Sequence, residues 1–128
     1  MSIDFSRIVE YLDAIANHPD GNDTKFSPHR FFWRVDRASF IAMNVPGVAC
    51  VRGTDHTQIR AVIPGDADNS PLLKILAEDG TVCAKPQMPG SGPFLTDAGY
   101  AVQLLDGTSV SGTQVLADLR SWITDGCP

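Results

Sequence analysis

The sequence contains no Cys-x-x-Cys pair, no apolar run near the roughly 20 residues that a membrane-spanning helix needs, and no cluster of basic residues. Each absence removes a class of protein. Cys50, Cys83 and Cys127 are odd in number and too widely spaced for either a zinc site or a disulfide framework. Free thiols are the expectation, with a single disulfide as the alternative. Ten Lys and Arg set singly among fifteen Asp and Glu give a formal net charge of -5, so nothing is available to neutralise a line of phosphates. Nucleic acid and anionic membrane are therefore poor partners. Met1-Ser2-Ile3-Asp4 lacks the basic and apolar regions of an export signal, and a cytoplasmic protein is expected. No phosphate loop, dinucleotide fingerprint, nucleophile elbow or His-Glu-x-x-His helix occurs, so the enzyme classes that show themselves by motif have no support.

What is present is ordinary globular material. The 128 residues are 43% hydrophobic and 20% charged, enough for one domain over residues 1–128 with a continuous apolar core. Phe5, Ile8, Val9, Leu12, Ile15 and Ala16 fall three and four apart, which predicts an amphipathic N-terminal helix, closed by His18-Pro19 and Gly21. Ser27-Pro28 reads as a cap plus first-turn proline leading into Phe31-Phe32-Trp33. Asp36 caps a second short helix through Met43, broken by Asn44-Val45-Pro46-Gly47. Gln58 to Ile63 is extended in composition, and Pro64-Gly65-Asp66 turns the chain into Ser70-Pro71, again a cap plus first-turn proline, opening a helix that closes at Gly80. Residues 84–96 form a proline- and glycine-rich loop around Met88, and Asp106-Gly107 predicts a two-residue turn in a small exposed hairpin. Val115, Leu116, Leu119, Trp122 and Ile123 predict the last helix, with Gly126 as its left-handed cap.

Among groups able to do chemistry, His29 stands out because an imidazole titrates near neutrality and ligates metals, and it lies beside Arg30 and the aromatic run. His29 is the candidate catalytic residue, and His29, Arg30, Phe31, Trp33, Arg34 and Met88 are the candidate ligand-binding set. Phe31, Phe32 and Trp33 serve equally well as core filling. Cys50 with Asp55-His56 brings a thiol, a carboxylate and an imidazole close in sequence, but proximity in sequence is not contact. His18 at a helix end is read as a partner of the helix dipole. Asp66, Asp68 and Asn69 resemble an oxygen-rich cation loop without the Glu that an EF-hand requires, so capping is the better account.

Three segments occur in a telling order: Ile63-Pro64-Gly65-Asp66 running to Ser70-Pro71-Leu72-Leu73, then Met88-Pro89-Gly90, then Arg120-Ser121-Trp122-Ile123-Thr124-Asp125-Gly126. In this respect the chain resembles bacterial class I cytochrome c domains, in which a "PGD...S.L" helix entry, an "MPP.G" loop and a closing "..WI..G" helix follow one another. The resemblance implies a mainly α fold, a cytochrome c-like bundle of short helices around an N-terminal and a C-terminal helix, with long loops and a small β-hairpin insertion. It also implies that Met88 stands where the family places its distal haem ligand. The family's Cys-x-x-Cys-His is missing, since no cysteine precedes Cys50, so covalent haem is ruled out and no cofactor is expected. The expected function is a haem-less accessory or binding module whose former cleft is packed by aromatics or reused for a small apolar organic ligand or another protein. The alternatives are a small cofactor-independent enzyme, with His29 as general acid or base and Arg30 or Arg34 orienting an anionic group, and a noncovalent haem or copper electron carrier through His29 and Met88.

Overall fold

The computed structural model describes residues 3–18, 31–52, 55–78, 82–83, 87–88 and 93–128. Among the described residues four α-helices, α1 (Phe5–Ala16), α2 (Arg37–Ala42), α3 (Pro71–Ala77) and α4 (Gly112–Thr124), accompany two antiparallel hairpins. The first pairs β1 (Asn44–Arg52) with β2 (Asp55–Arg60), and the second pairs β3 (Ala101–Gln103) with β4 (Ser109–Ser111). This is a small mixed α/β fold, and it overturns the expectation of a mainly α, cytochrome c-like helical bundle. The error lay at Asn44-Val45-Pro46-Gly47, where proline and glycine suggested a break. The segment instead belongs to a nine-residue strand whose ladder jumps from Asn44↔Arg60 to Ala49↔Gln58. Proline lacks an N–H and is tolerated in a strand at such an irregularity, where no ladder bond is asked of it.

Helix α1 begins at Asp4, whose carboxylate accepts from the Arg7 backbone N–H at 3.0 Å. It buries Ile8, Tyr11, Leu12 and Ile15, while Phe5 and Val9 pack partly buried against the same core. Tyr11 was absent from the face expected from periodicity. Its hydroxyl donates to Asp118 of α4 at 2.5 Å, so a polar tip is satisfied while the ring is buried. Asp36 caps α2 by accepting from the Ser39 N–H at 2.7 Å.

The turn into α3 works differently from the expectation. Ser70 is the N-cap residue and is wholly buried, but its hydroxyl makes no cap bond. It donates to the Asp66 carbonyl at 2.8 Å and accepts from the Ile63 N–H at 2.9 Å, stitching the Pro64-Gly65 turn shut. The 3-10 turn Ala67–Asn69 is capped by Asp66, and Asp68 pairs with Arg120 of α4 at 2.7 Å, so these acidic groups serve capping and docking. Gly80 lies outside the described residues.

The second hairpin turns over Leu104 to Gly107 rather than through two residues: Gly107 N–H donates to Leu104 O and Leu104 N–H to Thr108 O, at 2.9 and 2.8 Å. Gly107 takes the left-handed backbone (φ 87) that closes this wider turn. The hairpin is more than an exposed elaboration, because Val102 and Leu104 are buried in the core beside α1. Helix α4 starts from Ser111, whose hydroxyl accepts from Gln114 N–H. It ends in a Schellman pattern, with Gly126 N–H to Ile123 O and Cys127 N–H to Trp122 O. Gly112 is required at its start, since a Cβ there would run into the Leu95 backbone, with its C and Cα at 2.8 and 2.9 Å. Among the described residues no helix is long and apolar enough to cross a membrane.

Candidate functional site

The aromatic turn that follows the N-terminal helix is built around one carboxylate. Asp13 of α1 projects to the turn at 31–33 and accepts from both the Trp33 indole N–H (2.7 Å) and the Arg34 guanidinium (3.0 Å). Arg34 also lies over the Phe31 ring at 4.1 Å from its centroid, a cation–π contact beside an ion pair. Phe31 and Phe32 meet the Trp33 ring edge-on at 5.4 and 5.3 Å. The aromatic chain then runs inward through Phe32–Phe40, Phe5–Phe40, Phe5–Trp122 and Phe40–Trp122, every pair between 5.3 and 6.2 Å. Trp33, Phe40 and Trp122 are buried.

Three of the six candidate residues are thus brought together. Trp33 and Arg34 converge on Asp13, with Phe31 under the Arg34 guanidinium, and Asp13 is a residue that the sequence did not single out. The sequence carries no signal for this beyond an acidic residue one helical turn from the end of an amphipathic helix and a Trp-Arg pair twenty positions later. Met88 is positioned separately: its N–H donates to the Ile75 carbonyl of α3 at 2.8 Å and its side chain packs half-buried against the core. His29 and Arg30 lie outside the described residues.

The remaining ionisable groups are arranged for structure. His18 does more than meet the helix dipole, since its ring stacks on Tyr100 at 4.7 Å and its Nε2 lies 3.0 Å from the Ala101 carbonyl. A carbonyl only accepts, so Nε2 carries the proton and donates. Together these contacts tie the end of α1 to β3. The Tyr100 hydroxyl is buried without a hydrogen-bond partner among the described residues. The proposed grouping of Cys50 with Asp55 and His56 fails on chemistry, because Cys50 is bonded to Cys83 and has no thiolate to act as nucleophile or ligand. That bond also corrects the expectation of three free thiols. The two cysteines are 33 positions apart, yet folding sets their Cα atoms 5.5 Å apart, a spacing that composition and local pattern could not show. Cys127 alone is free, and it is buried. Among the described residues no cluster of His, Cys, Asp and Glu has the arrangement to hold a metal ion.

Burial pushes the Cys127 thiol up to about 11, against a weaker downward pull from Arg37, and burial alone pushes the Tyr100 phenol up to about 12. The Tyr11 phenol is raised further by burial and by its bond to Asp118. In the unfolded chain these groups ionise from about pH 9 and 10. Above pH 9 the unfolded state therefore binds fewer protons than the native state, and stability falls as pH rises. Urea midpoints are expected to show no loss from these groups below pH 9 and to decline between pH 9 and 12. In Cys127→Ala the onset moves toward pH 10. A midpoint constant through pH 11 contradicts this.

No family model, no curated protein and no solved structure matches this chain.

Proposed function

We propose that this chain is a non-catalytic, haem-less binding module that acts through its surface on another protein. One observation carries the reading: the interior beneath the aromatic turn is filled by side chains that satisfy one another. Trp33 is buried with its only polar atom bonded to Asp13, and Phe40 and Trp122 are fully enclosed. Such close packing favours the filled-cleft form of the module over one that takes a small organic ligand. The three segments that resemble cytochrome motifs serve to hold this fold together. In space the first and last meet, with Gly65 N–H donating to Ile123 O at 2.7 Å and Arg120 pairing with Asp68. The segment carrying Met88 is tied to α3, directly after the first motif.

The Cys50–Cys83 bond favours an oxidising compartment over the cytoplasm, where thiols are kept reduced.

The test is native mass spectrometry of the full chain with absorption spectra before and after one equivalent of haem or copper. The expected result is the mass of the polypeptide alone and no shifted Soret band. Binding of one equivalent that is lost in His29→Ala or Met88→Ala replaces this reading with an electron carrier. Turnover of an organic substrate that vanishes in His29→Ala replaces it with an enzyme.

A further inference from the structure

We infer that the Cys50–Cys83 disulfide is a redox latch on the β1–β2 hairpin, and that a dithiol reductant releases the outer part of that hairpin while the helical core stays folded. The hairpin divides into two parts. Its base is pinned: Asn44 pairs with Arg60, the Arg60 guanidinium donates to the Ile41 carbonyl, and Ala61 N–H donates to the Met43 carbonyl at 3.4 Å. Beyond the base the ladder breaks, because β1 passes from Asn44 to Ala49 while β2 passes only from Arg60 to Gln58. The break contains Pro46-Gly47, one residue without a donor and one without a side chain, so the two parts are weakly coupled and a hinge is available. The outer ladder, Ala49 to Arg52 against Asp55 to Gln58, carries Cys50.

Among the helices and strands, β1 and β2 make their main contacts with each other. Cys50 lies opposite Thr57, and Ile59 is two residues beyond Thr57, so Cys50, Thr57 and Ile59 share one face. Ile59 is buried but stands apart from the main core, and so does Val82, the neighbour of Cys83. The disulfide therefore joins two segments that each carry a buried apolar residue outside the main core. On the other side of the latch, the segment at 87–88 has its own ties. Met88 N–H is held by Ile75 O, and the Gln87 amide donates to Leu76 O and to the Thr96 hydroxyl, both at 2.9 Å. When the latch opens, the part free to move is the outer hairpin.

The bond is placed to be opened. Cys83 is exposed and Cys50 half-buried. A thiolate of the dithiol attacks Cys83 Sγ, the Cys50–Cys83 bond breaks, and Cys50 leaves as a thiolate that takes up a proton. The second thiol of the reductant then displaces Cys83, which is protonated in turn. The reductant becomes a cyclic disulfide, and two electrons and two protons have passed to the protein.

Backbone ¹⁵N relaxation on the full chain, before and after treatment with dithiothreitol under native conditions, tests the latch. In the oxidised protein, order parameters of about 0.85 are expected throughout β1, β2, α1 and α4. After reduction those of 49–58 fall below about 0.6, while α1 and α4 stay near 0.85. The variant Cys50→Ser/Cys83→Ser is expected to match the reduced protein and to ignore the reductant. Unchanged order in the reduced hairpin overturns the inference, since the bond then constrains only the unfolded chain. Loss of order in α1 and α4 overturns it as well, since the bond then holds the whole fold, and so does a disulfide that resists the dithiol in the native protein.

Discussion

Trp122→Ala is expected to lower the unfolding free energy by about 3–5 kcal/mol, the usual cost of truncating a fully buried aromatic. Trp122 is 0% exposed and touches both Phe5 of α1 and Phe40 of α2, so the substitution opens a void where three helices meet. Domains of this size are stable by roughly 5–15 kcal/mol in total, so the variant approaches the folding threshold. The indole N–H also donates to the Pro128 carbonyl at 2.9 Å, at an exposed residue. Water replaces that partner readily, and packing is therefore the larger share. Trp122→Phe separates the two contributions: it keeps most of the ring contacts and is expected to cost about 1–2 kcal/mol. Urea unfolding of both variants measures this. A loss below about 1 kcal/mol for Trp122→Ala would mean that α4 does not organise the core.

Removing the disulfide in Cys50→Ala/Cys83→Ala is expected to cost about 2–4 kcal/mol. Closing a loop across 33 residues restricts the unfolded chain, and the loop-entropy relation gives a loss of between 3 and 4 kcal/mol at about 25 °C. The released outer hairpin regains freedom in the native state, which offsets part of that loss and places the expected value toward the lower end. Equilibrium unfolding of the variant against the oxidised protein, with Cys127 unchanged in both, gives the number. A variant as stable as the oxidised protein would show that the bond stores no constraint.

The sequence identified the elements whose causes are local. Helices α1 and α4 follow from apolar residues three and four apart, with Gly126 marking an end that the structure keeps. Asp36 capping α2 and Pro71 opening α3 are equally local. Strand β1 escaped notice because Pro46-Gly47 argues against a strand unless a partner strand supplies a break in the ladder, and the partner is not visible from the residues themselves. The aromatic set at 31–33 was visible as a cluster, but Asp13 was not visible as its anchor, because the two lie twenty positions apart in sequence and meet only in the folded chain.

Composition and periodicity by themselves determined that this chain carries amphipathic helices at Phe5–Ala16 and Gly112–Thr124 and that it has no Cys-x-x-Cys-His to attach haem. These depend on residue chemistry and on spacings within about one or two helical turns. Tertiary structure alone decided that the middle of the chain is a β-hairpin, that Cys50 meets Cys83, that Ser70 closes a turn rather than capping a helix, and that Trp33 is fastened to Asp13. These contacts reach across as many as thirty-three positions, and their formation depends on the packing of what lies between.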